Sequence, residues 1–393
     1  MEIPDAALRA AIADELGVAE SSLTDANLLS LEELDAEDLG ITDLTGVELC
    51  QNLWELEASD NTIASLEPLA EHPALGDIEL ENCGLAGAAD LAPLATIPTL
   101  QRVELLQNDI SLSDLQATFD PVTHPNMRRL AVSNDFGTFD DIEAVVDYVI
   151  SFPTVTDIAI FEFGDTFGDG GVQYLYQELV AAGLDQQIAD LKLRDNALTS
   201  DSLATIVQME GIRWMSLSGN SFSDISSLAG LSEIEWLELE RIGPVDLQPL
   251  QTLLDNGGFA LDDEPLVELH FNDLDLWPGT DNRAVVDALI AGGVEVEWEE
   301  GNITEPPQLE LSLEGEVAYA IDEDNGMQLE PITVDNLNFA ALLAPTEEFV
   351  AVDTDMDNSI ELEIPQPSEL SSPSEVFGGT VAASPEDTRV AEV

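Results

Sequence analysis

The stretch Ile188-Ala-Asp-Leu191-Lys-Leu193-Arg-Asp-Asn196-Ala-Leu198 determines the fold that we predict for this chain. Apolar residues occupy its first, fourth, sixth and eleventh positions, and an asparagine occupies the ninth. Four other stretches share the pattern and start at Leu53, Leu75, Leu100 and Ile212. Looser copies start at Leu31, Met127, Val155, Ile234 and Leu266, and a last strand is expected at Val294. We call the first position of each copy its repeat start.

One repeat cannot bury its apolar residues alone, so tandem copies predict a stack of coils. The alternation of apolar and polar residues predicts one short strand per repeat, and stacked strands form a parallel sheet. The asparagine pairs with backbone groups that stacking would otherwise bury unpaired, and Cys83 replaces it in one repeat. Short repeats leave room for turns or 3₁₀ segments at 66–69 and 91–94, whereas helical patterns cover 140–150, 172–180 and 282–290.

These repeats resemble the leucine-rich repeat family, and the short ones are similar to the bacterial internalin-type class. Residues 43–53 look like an internalin-type linker between repeats, and residues 3–12, followed by Leu23-Thr24-Asp25, look like a helical N-terminal cap. The resemblance covers residues 1–302. It implies an α/β solenoid shaped as a curved horseshoe, with a parallel sheet on the concave face and turns, 3₁₀ segments and α-helices on the convex face. The longer middle repeats depart from the internalin pattern, so no partner preference follows from it.

The resemblance also implies a place and a partner class. Family members mostly bind proteins or glycans outside the cell, so it implies an extracellular or cell-surface protein. No basic segment followed by an apolar core opens this chain, so a signal peptide would have to be absent from it. A cytoplasmic location is the alternative.

Domain organisation follows from where the repeats stop. We predict a helical N-terminal cap at 1–30, an array of about ten or eleven repeats at 31–302, a small β-strand-containing module or C-terminal cap at 303–364, and a Pro/Ser/Glu-rich linker or disordered tail at 365–393. Asp353, Asp355 and Asp357 resemble the start of a calcium-binding EF-hand loop. That loop would have Asn358 instead of glycine and Ile364 instead of glutamate, and calcium is the only cofactor that we consider.

The chain is extremely acidic, with 81 Asp and Glu residues against 10 Lys and Arg and a net charge of −71 over its 393 residues. Such a surface excludes nucleic acid and anionic lipid as general partners. No apolar run is long enough for membrane insertion. Charge repulsion destabilises a compact fold and is screened in brine, where the Debye length falls from roughly 8 Å to roughly 3 Å near 1 M salt. The composition therefore predicts a salt-adapted, halophilic protein, and an acidic secreted protein from ordinary seawater is the alternative.

Seven of the ten basic residues fall on polar positions of the repeat, which face solvent on the concave side of the predicted sheet. Aromatic residues share these positions. Together they form a predicted partner-binding surface, which we call the basic-aromatic patch: Trp54, Arg102, Arg128, Arg129, Phe161, Lys192, Arg194, Arg213, Trp214, Trp236 and Arg241. Arginine and tryptophan are favoured at binding hot spots because they combine large contact area with forked or π interactions.

Three interpretations of this patch stay open. In the first, the patch is the binding face of a non-catalytic recognition module. In the second, the protein is a structural spacer and the cations only pair with neighbouring acids. The expected pairs are Arg102 with Asp77 and Glu104, Arg129 with Asp157, and Arg213 with Glu235. The third is a carbohydrate-active enzyme on a parallel β-helix. The HExxH, GxSxG, P-loop and Rossmann glycine patterns are absent from the sequence, which favours a protein that is not an enzyme.

Cysteines and histidines fall mainly on core positions. Cys50, His72 and His124 each lie three residues before a repeat start, in a column that apolar residues fill elsewhere. We therefore expect all three to be buried, and both Cys50 and Cys83 to be free thiols. His270 is the one histidine expected on the concave face.

Overall fold

The computed structural model describes residues 3–134, 137, 139, 141–260, 264–272, 274, 276 and 279–298, and four short strands further along the chain. The chain divides into two compact units, Met1–Asn302 and Ile303–Val393. In the second unit, Glu310–Leu313 pairs antiparallel with Leu337–Ala340, and Val350–Val352 pairs antiparallel with Glu361–Glu363. The calcium-loop prediction at Asp353, Asp355 and Asp357 lies outside the described residues.

The first unit is built on parallel strands that follow one another in chain order. Strands β1 to β12 are Glu33–Asp35, Glu55–Glu57, Asp77–Glu79, Arg102–Glu104, Arg129–Leu130, Val132–Ser133, Asp157–Phe161, Asp190–Lys192, Trp214–Ser216, Trp236–Glu238, Leu266–Glu268 and Glu295–Glu297. They form a five-stranded sheet, β1 to β5, and a seven-stranded sheet, β6 to β12. Each repeat contributes one strand position to this part of the chain, whereas a parallel β-helix would need three per coil. The predicted parallel sheet is confirmed, and the β-helix alternative is wrong.

The two sheets are joined by backbone hydrogen bonds at the repeat that starts at Met127. The Arg128 carbonyl accepts hydrogen bonds from the backbone N–H groups of Thr156 and Asp157, each with an N···O distance of 3.2 Å. On the other side of the same segment, Arg129 is the register partner of Arg102. The surface formed by the outward-pointing strand residues therefore runs without a break from β1 to β12.

Strand register corrects two of the repeat starts. Trp236 pairs with Leu266 and Leu237 pairs with Val267, so the tenth repeat starts at residue 264 and not at Leu266. Leu266 also pairs with Glu295, which moves the last start from Val294 to residue 293. The prediction failed because Leu266 and Leu269 imitate the leucine spacing, while the core column of this repeat takes Val267, which is fully buried.

Helices occupy most of the longer connections. Helices α1 to α9 are Ala6–Glu15, Asp25–Leu28, Gly87–Leu91, Leu112–Thr118, Ile142–Val149, Gly168–Ala182, Ser200–Ile206, Gln248–Asp255 and Asp281–Ala291. The 3₁₀ segments are Glu20–Ser22, Val47–Leu49, Glu67–Leu69, Leu94–Thr96, Gly164–Thr166 and Ser226–Gly230. The helices predicted at 140–150, 172–180 and 282–290 are confirmed as α5, α6 and α9. The turn or 3₁₀ segment expected at 66–69 is confirmed as Glu67–Leu69, whereas residues 91–94 hold the end of α3 and the start of the 3₁₀ segment Leu94–Thr96.

The N-terminal helix covers the first coil. The Asp5 carboxylate accepts hydrogen bonds from the backbone N–H groups of Ala7 and Leu8, which caps α1, and burial of Leu8 and Ile12 fixes the helix against the array. Helix α1 contacts β1, the outermost strand at this end of the sheet. This contact shields apolar residues of the first repeat from solvent.

Buried asparagines connect neighbouring coils behind the strands. The Asn220 amide donates to the carbonyls of Leu193 and Leu217, and its oxygen accepts from the N–H groups of Asn196 and Leu198 at 2.9–3.0 Å. Equivalent asparagines occupy the same column at Asn61, Asn108, Asn196 and Asn272. In the repeat without asparagine, the Cys83 thiol lies 3.2 Å from the Ala58 carbonyl oxygen. Each side chain thus satisfies backbone groups of two coils.

The column before each repeat start is buried as the sequence predicts. Cys50 and His124 are fully buried and His72 is almost so, and both cysteines are free thiols. His72 Nε2 lies 3.2 Å from the Cys50 carbonyl, and its Nδ1 accepts from the Leu75 N–H. Burial lowers the pKa of His72 and His124. These groups are neutral, structural members of the core.

Candidate functional site

Outward-pointing residues of the strands form one surface of the sheet, which we call the open face. Its central row holds the side chains two positions after each repeat start, in the order Glu33, Glu55, Asp77, Arg102, Arg129, Asp157, Asp190, Trp214, Trp236, Leu266 and Glu295. The row thus passes from acidic to basic, back to acidic, and then to aromatic. Apart from Trp54, which directly precedes β2, the cations and aromatic rings predicted from the sequence lie between β4 and the turn that follows β10, and acids occupy both ends of the row.

Arg102 is the charge centre of this row. Its guanidinium lies 3.2 Å from Asp157 Oδ2, 3.7 Å from Asp77 Oδ2 and 4.0 Å from Asp190 Oδ2. Burial opposes its charge, but the carboxylates of Asp157, Asp77 and Asp190 outweigh burial and raise the pKa of Arg102. The predicted pair with Asp77 is present, whereas Arg102 reaches across to β7 and β8 instead of pairing with Glu104.

Arg129 is buried and pairs with Glu104 and Glu79, at 3.7 Å from the latter. The predicted Arg129–Asp157 pair is wrong. Arg102 and Arg129 are direct register partners, so their like charges disfavour a parallel arrangement, and Arg129 turns to the glutamates of β3 and β4. Its Nε is buried without a hydrogen-bond partner, which marks Arg129 as part of the packed sheet more than as a ligand contact.

Two carboxyls beside Arg129 hold their protons unusually tightly. Burial raises the pKa of Asp77 to about 6, against the opposing effect of Arg102 and Arg129. Burial and the neighbouring Glu104 raise the pKa of Glu79 to about 7. This part of the face therefore titrates close to neutral pH.

Arg128 and Arg213 keep more contact with solvent than Arg102 and Arg129 do. Their side chains are 42% and 49% exposed, in contrast to 6% for Arg129. Arg128 Nε donates to the Thr156 hydroxyl at 3.1 Å, and its guanidinium lies 4.0 Å from Asp157. Arg213 forms the predicted ion pair with Glu235. Both guanidinium groups are thus held by a neighbouring side chain while part of each arginine side chain stays accessible to a partner.

Two tryptophans stack on adjacent strands. The ring centroids of Trp214 and Trp236 are 4.8 Å apart with an interplanar angle of 24°. Lys192 Nζ lies 3.9 Å from the Trp214 ring centroid, and Trp214 Nε1 donates to Glu238 at 3.1 Å. Trp236 Nε1 is buried without a hydrogen-bond partner. Burial lowers the pKa of Lys192, so the ammonium over Trp214 is only partly compensated by its surroundings.

A cleft of about 210 Å³ opens between the arginines and the tryptophan stack. We call it the tryptophan cleft. Its lining combines three guanidinium groups, three carboxylates and two indoles, which are those of Arg102, Arg128, Arg213, Asp190, Glu235, Glu264, Trp214 and Trp236. Sequence reasoning named Glu235 as the partner of Arg213, but it did not single out Asp190 or Glu264. The corrected repeat start at residue 264 is the signal that places Glu264 beside this cleft.

Other members of the basic-aromatic patch lie away from the cleft. Arg194 lies over the Phe161 ring at 4.6 Å, and Arg241 pairs with Asp195 at 3.3 Å. Trp54 lies in the second repeat among acidic residues, where its ring covers the backbone of Gly76 so closely that a Cβ there would fall 2.0 Å from it. The patch is therefore divided: five of its residues line the cleft, Lys192 lies over Trp214, Arg129 is buried beside Glu104, and the Arg194–Phe161 pair, Arg241 and Trp54 lie elsewhere.

One apolar cluster on the open face escaped sequence reasoning. Leu106, Ala131, Ala159 and Phe161 are buried together, although they occupy repeat positions that are polar elsewhere. Ala159 is the register partner of Lys192 on the next strand. The sequence feature that could have revealed this cluster is the pair of alanines, Ala131 and Ala159, at normally polar positions of consecutive repeats.

No protein-family model and no curated protein sequence matches this chain. Among solved structures it is similar to two internalins of Listeria monocytogenes. InlC2 has a TM-score of 0.30 and 16% sequence identity, and the match covers 75% of this chain and 94% of InlC2. InlF has a TM-score of 0.37 and 16% sequence identity, and the match covers 76% of this chain and 92% of InlF. TLR13, in its complex with ssRNA13, has a TM-score of 0.39 and 16% sequence identity, and the match covers 62% of this chain and 39% of TLR13. At these scores no function follows from the likeness.

The parallel strands, their register and the asparagine column decide the architecture. The chain has a leucine-rich repeat fold. Strand register places Arg102 beside Arg129 and Trp214 beside Trp236, since residues at equivalent repeat positions lie side by side. None of the array's described helices is both long and apolar enough to cross a membrane.

Proposed function

We propose that this leucine-rich repeat protein is a non-catalytic recognition or adhesion module that binds a protein or a glycan through the basic-aromatic patch. The observation that supports this most directly is the placement of the cations. Seven of the ten basic residues lie in the strands of the open face or within three residues of a strand end, in a chain with a net charge of −71; Arg102, Arg129 and Lys192 are the strand residues among them. Random placement of so few cations would spread them over the surface, so their concentration beside aromatic rings favours selection for a partner.

The accessible part of the patch carries the expected contacts. Arg128 and Arg213 present partly exposed guanidinium groups, and Trp214 and Trp236 present a rigid aromatic surface beside them. Arginine forks and large rings contribute most of the binding energy at typical interfaces because they offer area at low entropic cost. Arg129 is excluded from direct contact by its burial and supports the sheet beneath them.

A structural spacer or scaffold is the second candidate, and one observation favours it. Carboxylates already neutralise Arg102, Arg129, Arg213 and Arg241 within the described residues. In so acidic a chain, these pairs relieve repulsion between neighbouring strands and could be the whole reason for the cations. This candidate predicts that charge reversal weakens the fold and changes no binding.

Charge reversal on the open face separates the two candidates. The double variant Arg128→Glu with Arg213→Glu alters partly exposed side chains, so its circular dichroism spectrum should stay unchanged. Immobilised wild-type protein and variant are incubated with culture medium or a glycan array in about 0.15 M and about 2 M NaCl. We expect capture by the wild type and at least about a tenfold loss in the variant, because hot-spot truncations cost about 2 kcal/mol or more.

Arg9→Glu with Arg283→Glu is the matched control. It changes net charge by the same amount, but Arg9 lies on α1 and Arg283 on α9, away from the open face. Undiminished capture in this control and loss in the open-face variant supports the proposal. Equal capture by both variants would exclude the patch and leave the spacer.

The non-catalytic role is supported by where the histidines lie. His72 and His124 are buried and hydrogen-bonded to backbone. His270 lies 3.4 Å from Glu297 at the far end of the sheet, outside the tryptophan cleft. A catalytic base of this type is therefore not placed beside the candidate ligand site.

The proposal includes a place of action. A recognition face of this kind, together with the internalin-type resemblance, favours an extracellular or cell-surface protein. The excess of acidic residues further favours a saline environment, where screening weakens their mutual repulsion. Measured localisation of the full-length protein in its source cells tests the first point, and thermal melting against salt tests the second.

A further inference from the structure

The tryptophan cleft has a size that narrows what it can hold. Its volume of about 210 Å³ lies below the roughly 300–1,000 Å³ of pockets that enclose a drug-sized ligand. A space of this size takes one ring or one side chain of a larger partner. The rest of that partner would then extend along the open face.

We infer that the tryptophan cleft is a subsite for one uncharged pyranose ring of a glycan, packed against the tryptophan stack and hydrogen-bonded to both guanidinium and carboxylate groups. This inference rests on the proposed function, since it names the ligand class of the same face.

Charge balance in the cleft favours an uncharged ligand. The three arginines and three acidic residues of its lining cancel in formal charge. A ligand carboxylate would be attracted by the arginines but repelled by Asp190 and Glu235. A ligand ammonium would be attracted by these acids but repelled by the arginines. A sugar hydroxyl both donates and accepts, so it pairs with a guanidinium on one side and a carboxylate on the other.

Charge on the whole molecule points the same way. The net charge of −71 repels polyanions, such as acidic polysaccharides, at distances where the few cations of the cleft have no effect. A neutral glycan approaches without this penalty. Uncharged hydroxyls also form their hydrogen bonds almost independently of salt, which suits the saline environment proposed above.

The tryptophan stack supplies a rigid wall for such a ring. Lys192 and Glu238 hold Trp214, and Trp214 in turn holds Trp236 at a centroid distance of 4.8 Å. Indole faces carry negative charge density and a large apolar area, and the C–H face of a pyranose packs on them. Because neighbours fix both rings before binding, little conformational entropy is lost.

Titration with defined oligosaccharides tests the inference. Tryptophan fluorescence and calorimetry are recorded for the full chain with the neutral probes cellohexaose, mannohexaose, laminarihexaose and chitohexaose. A hexameric oligogalacturonate and an arginine hexapeptide serve as charged probes, and all are measured in about 0.15 M and about 2 M NaCl. We expect at least one neutral probe to bind, with an affinity that falls at least about tenfold in Trp236→Ala.

Phe271→Ala is the matched control, because it removes an exposed aromatic side chain that belongs neither to the basic-aromatic patch nor to the lining of the cleft. Its affinity should equal that of the wild type. Trp236→Phe keeps an aromatic ring and should retain most of the affinity. If Trp236→Ala does not fold, Arg213→Gln removes a partly exposed cleft donor and should weaken binding severalfold.

Several results would overturn the inference. They are failure of all neutral probes, preference for a charged probe, or neutral binding that is insensitive to both Trp236→Ala and Arg213→Gln. These results leave the proposed function intact if charge reversal at Arg128 and Arg213 still abolishes capture of a protein partner. Conversely, cleavage of a bound neutral probe would contradict the non-catalytic role while confirming the cleft as a sugar site.

Discussion

Two tryptophans of the same stack differ in one hydrogen bond. The Trp214 N–H donates to Glu238 at 3.1 Å, whereas the Trp236 N–H is buried without a partner. A buried N–H donor without a partner destabilises the folded state, and removing such a donor breaks no hydrogen bond. The two side chains therefore contribute differently to stability, although both contribute area to the cleft.

This difference predicts unequal effects of the same substitution. Trp214→Phe should lower the free energy of unfolding by about 1 kcal/mol more than Trp236→Phe does, because only the first loses a hydrogen bond. Urea denaturation followed by circular dichroism measures both. Equal losses, or a larger loss for Trp236→Phe, would show that Trp236 has a partner in solution.

Glu79 gives the open face a dependence on pH. Its folded-state pKa is raised to about 7, above the value of about 4.3 expected in an unfolded chain, so the folded state binds its proton more tightly. The stabilisation is therefore fully present below about pH 4 and is lost as pH rises through about 7. Asp77, with a pKa of about 6, contributes in the same direction.

We therefore predict that the melting temperature falls between pH 5 and pH 8, and that Glu79→Gln makes this fall smaller. The expected difference is about 1 kcal/mol, since solvent near the side chain screens part of the effect. Glu33→Gln is the control, because Glu33 is an exposed acid of the same central row. A melting temperature that rises with pH, or equal slopes for both variants, would contradict this account.

At the scale of elements, the asparagine column links each coil to the next. Asn220 satisfies two carbonyls and two N–H groups that belong to neighbouring repeats. Each buried backbone group that loses its partner costs about 1–3 kcal/mol. Substitution at one asparagine therefore affects the junction between two coils more than the coil that carries it.

Asn220→Ala should lower the free energy of unfolding by at least about 3 kcal/mol. Asn126→Ala should change it by less than about 0.5 kcal/mol, because Asn126 is exposed and its amide lies 3.5 Å from the Pro98 carbonyl. Urea unfolding of both variants gives the comparison. Similar small losses for both would remove the asparagine column from the account of stability.

Elements also show how far sequence reasoning reaches. The strands and the helices α5, α6 and α9 could be predicted, because repeat periodicity fixes which residues are buried. Register at Leu266 could not, because a second leucine at the right spacing competes with Val267 for the core column. Side-chain pairing was predicted for Arg213 with Glu235 but failed for Arg129, since the directions of long side chains depend on several strands at once.

The candidate site was less predictable than the fold. The sequence placed cations and aromatic residues on one face, but not which of them lie together. Arg128, Arg213, Trp214 and Trp236 meet at the cleft, while Trp54 lies apart. Of the cleft carboxylates, Glu235 could be predicted as the neighbour of Arg213, whereas Asp190 and Glu264 could not be distinguished in a chain with 81 acidic residues.

At the scale of the whole molecule, charge dominates. A net charge of −71 opposes compaction, and the Debye length of about 10 Å at 0.1 M falls to about 3 Å at 1 M. We predict that the melting temperature rises steeply between about 0.1 M and about 2 M NaCl. Sucrose at equal osmolality is the control for excluded-solute effects and should raise it less. A flat salt dependence would contradict salt adaptation.

A bound partner should contact the open face at Arg128 and Arg213. Arginine modification by phenylglyoxal, with and without the captured partner and read by mass spectrometry, measures this contact at individual residues. We expect the partner to protect Arg128 and Arg213, while Arg9 and Arg283 react at an unchanged rate. Protection at Arg9 or Arg283 with none at Arg128 and Arg213 would contradict this expectation.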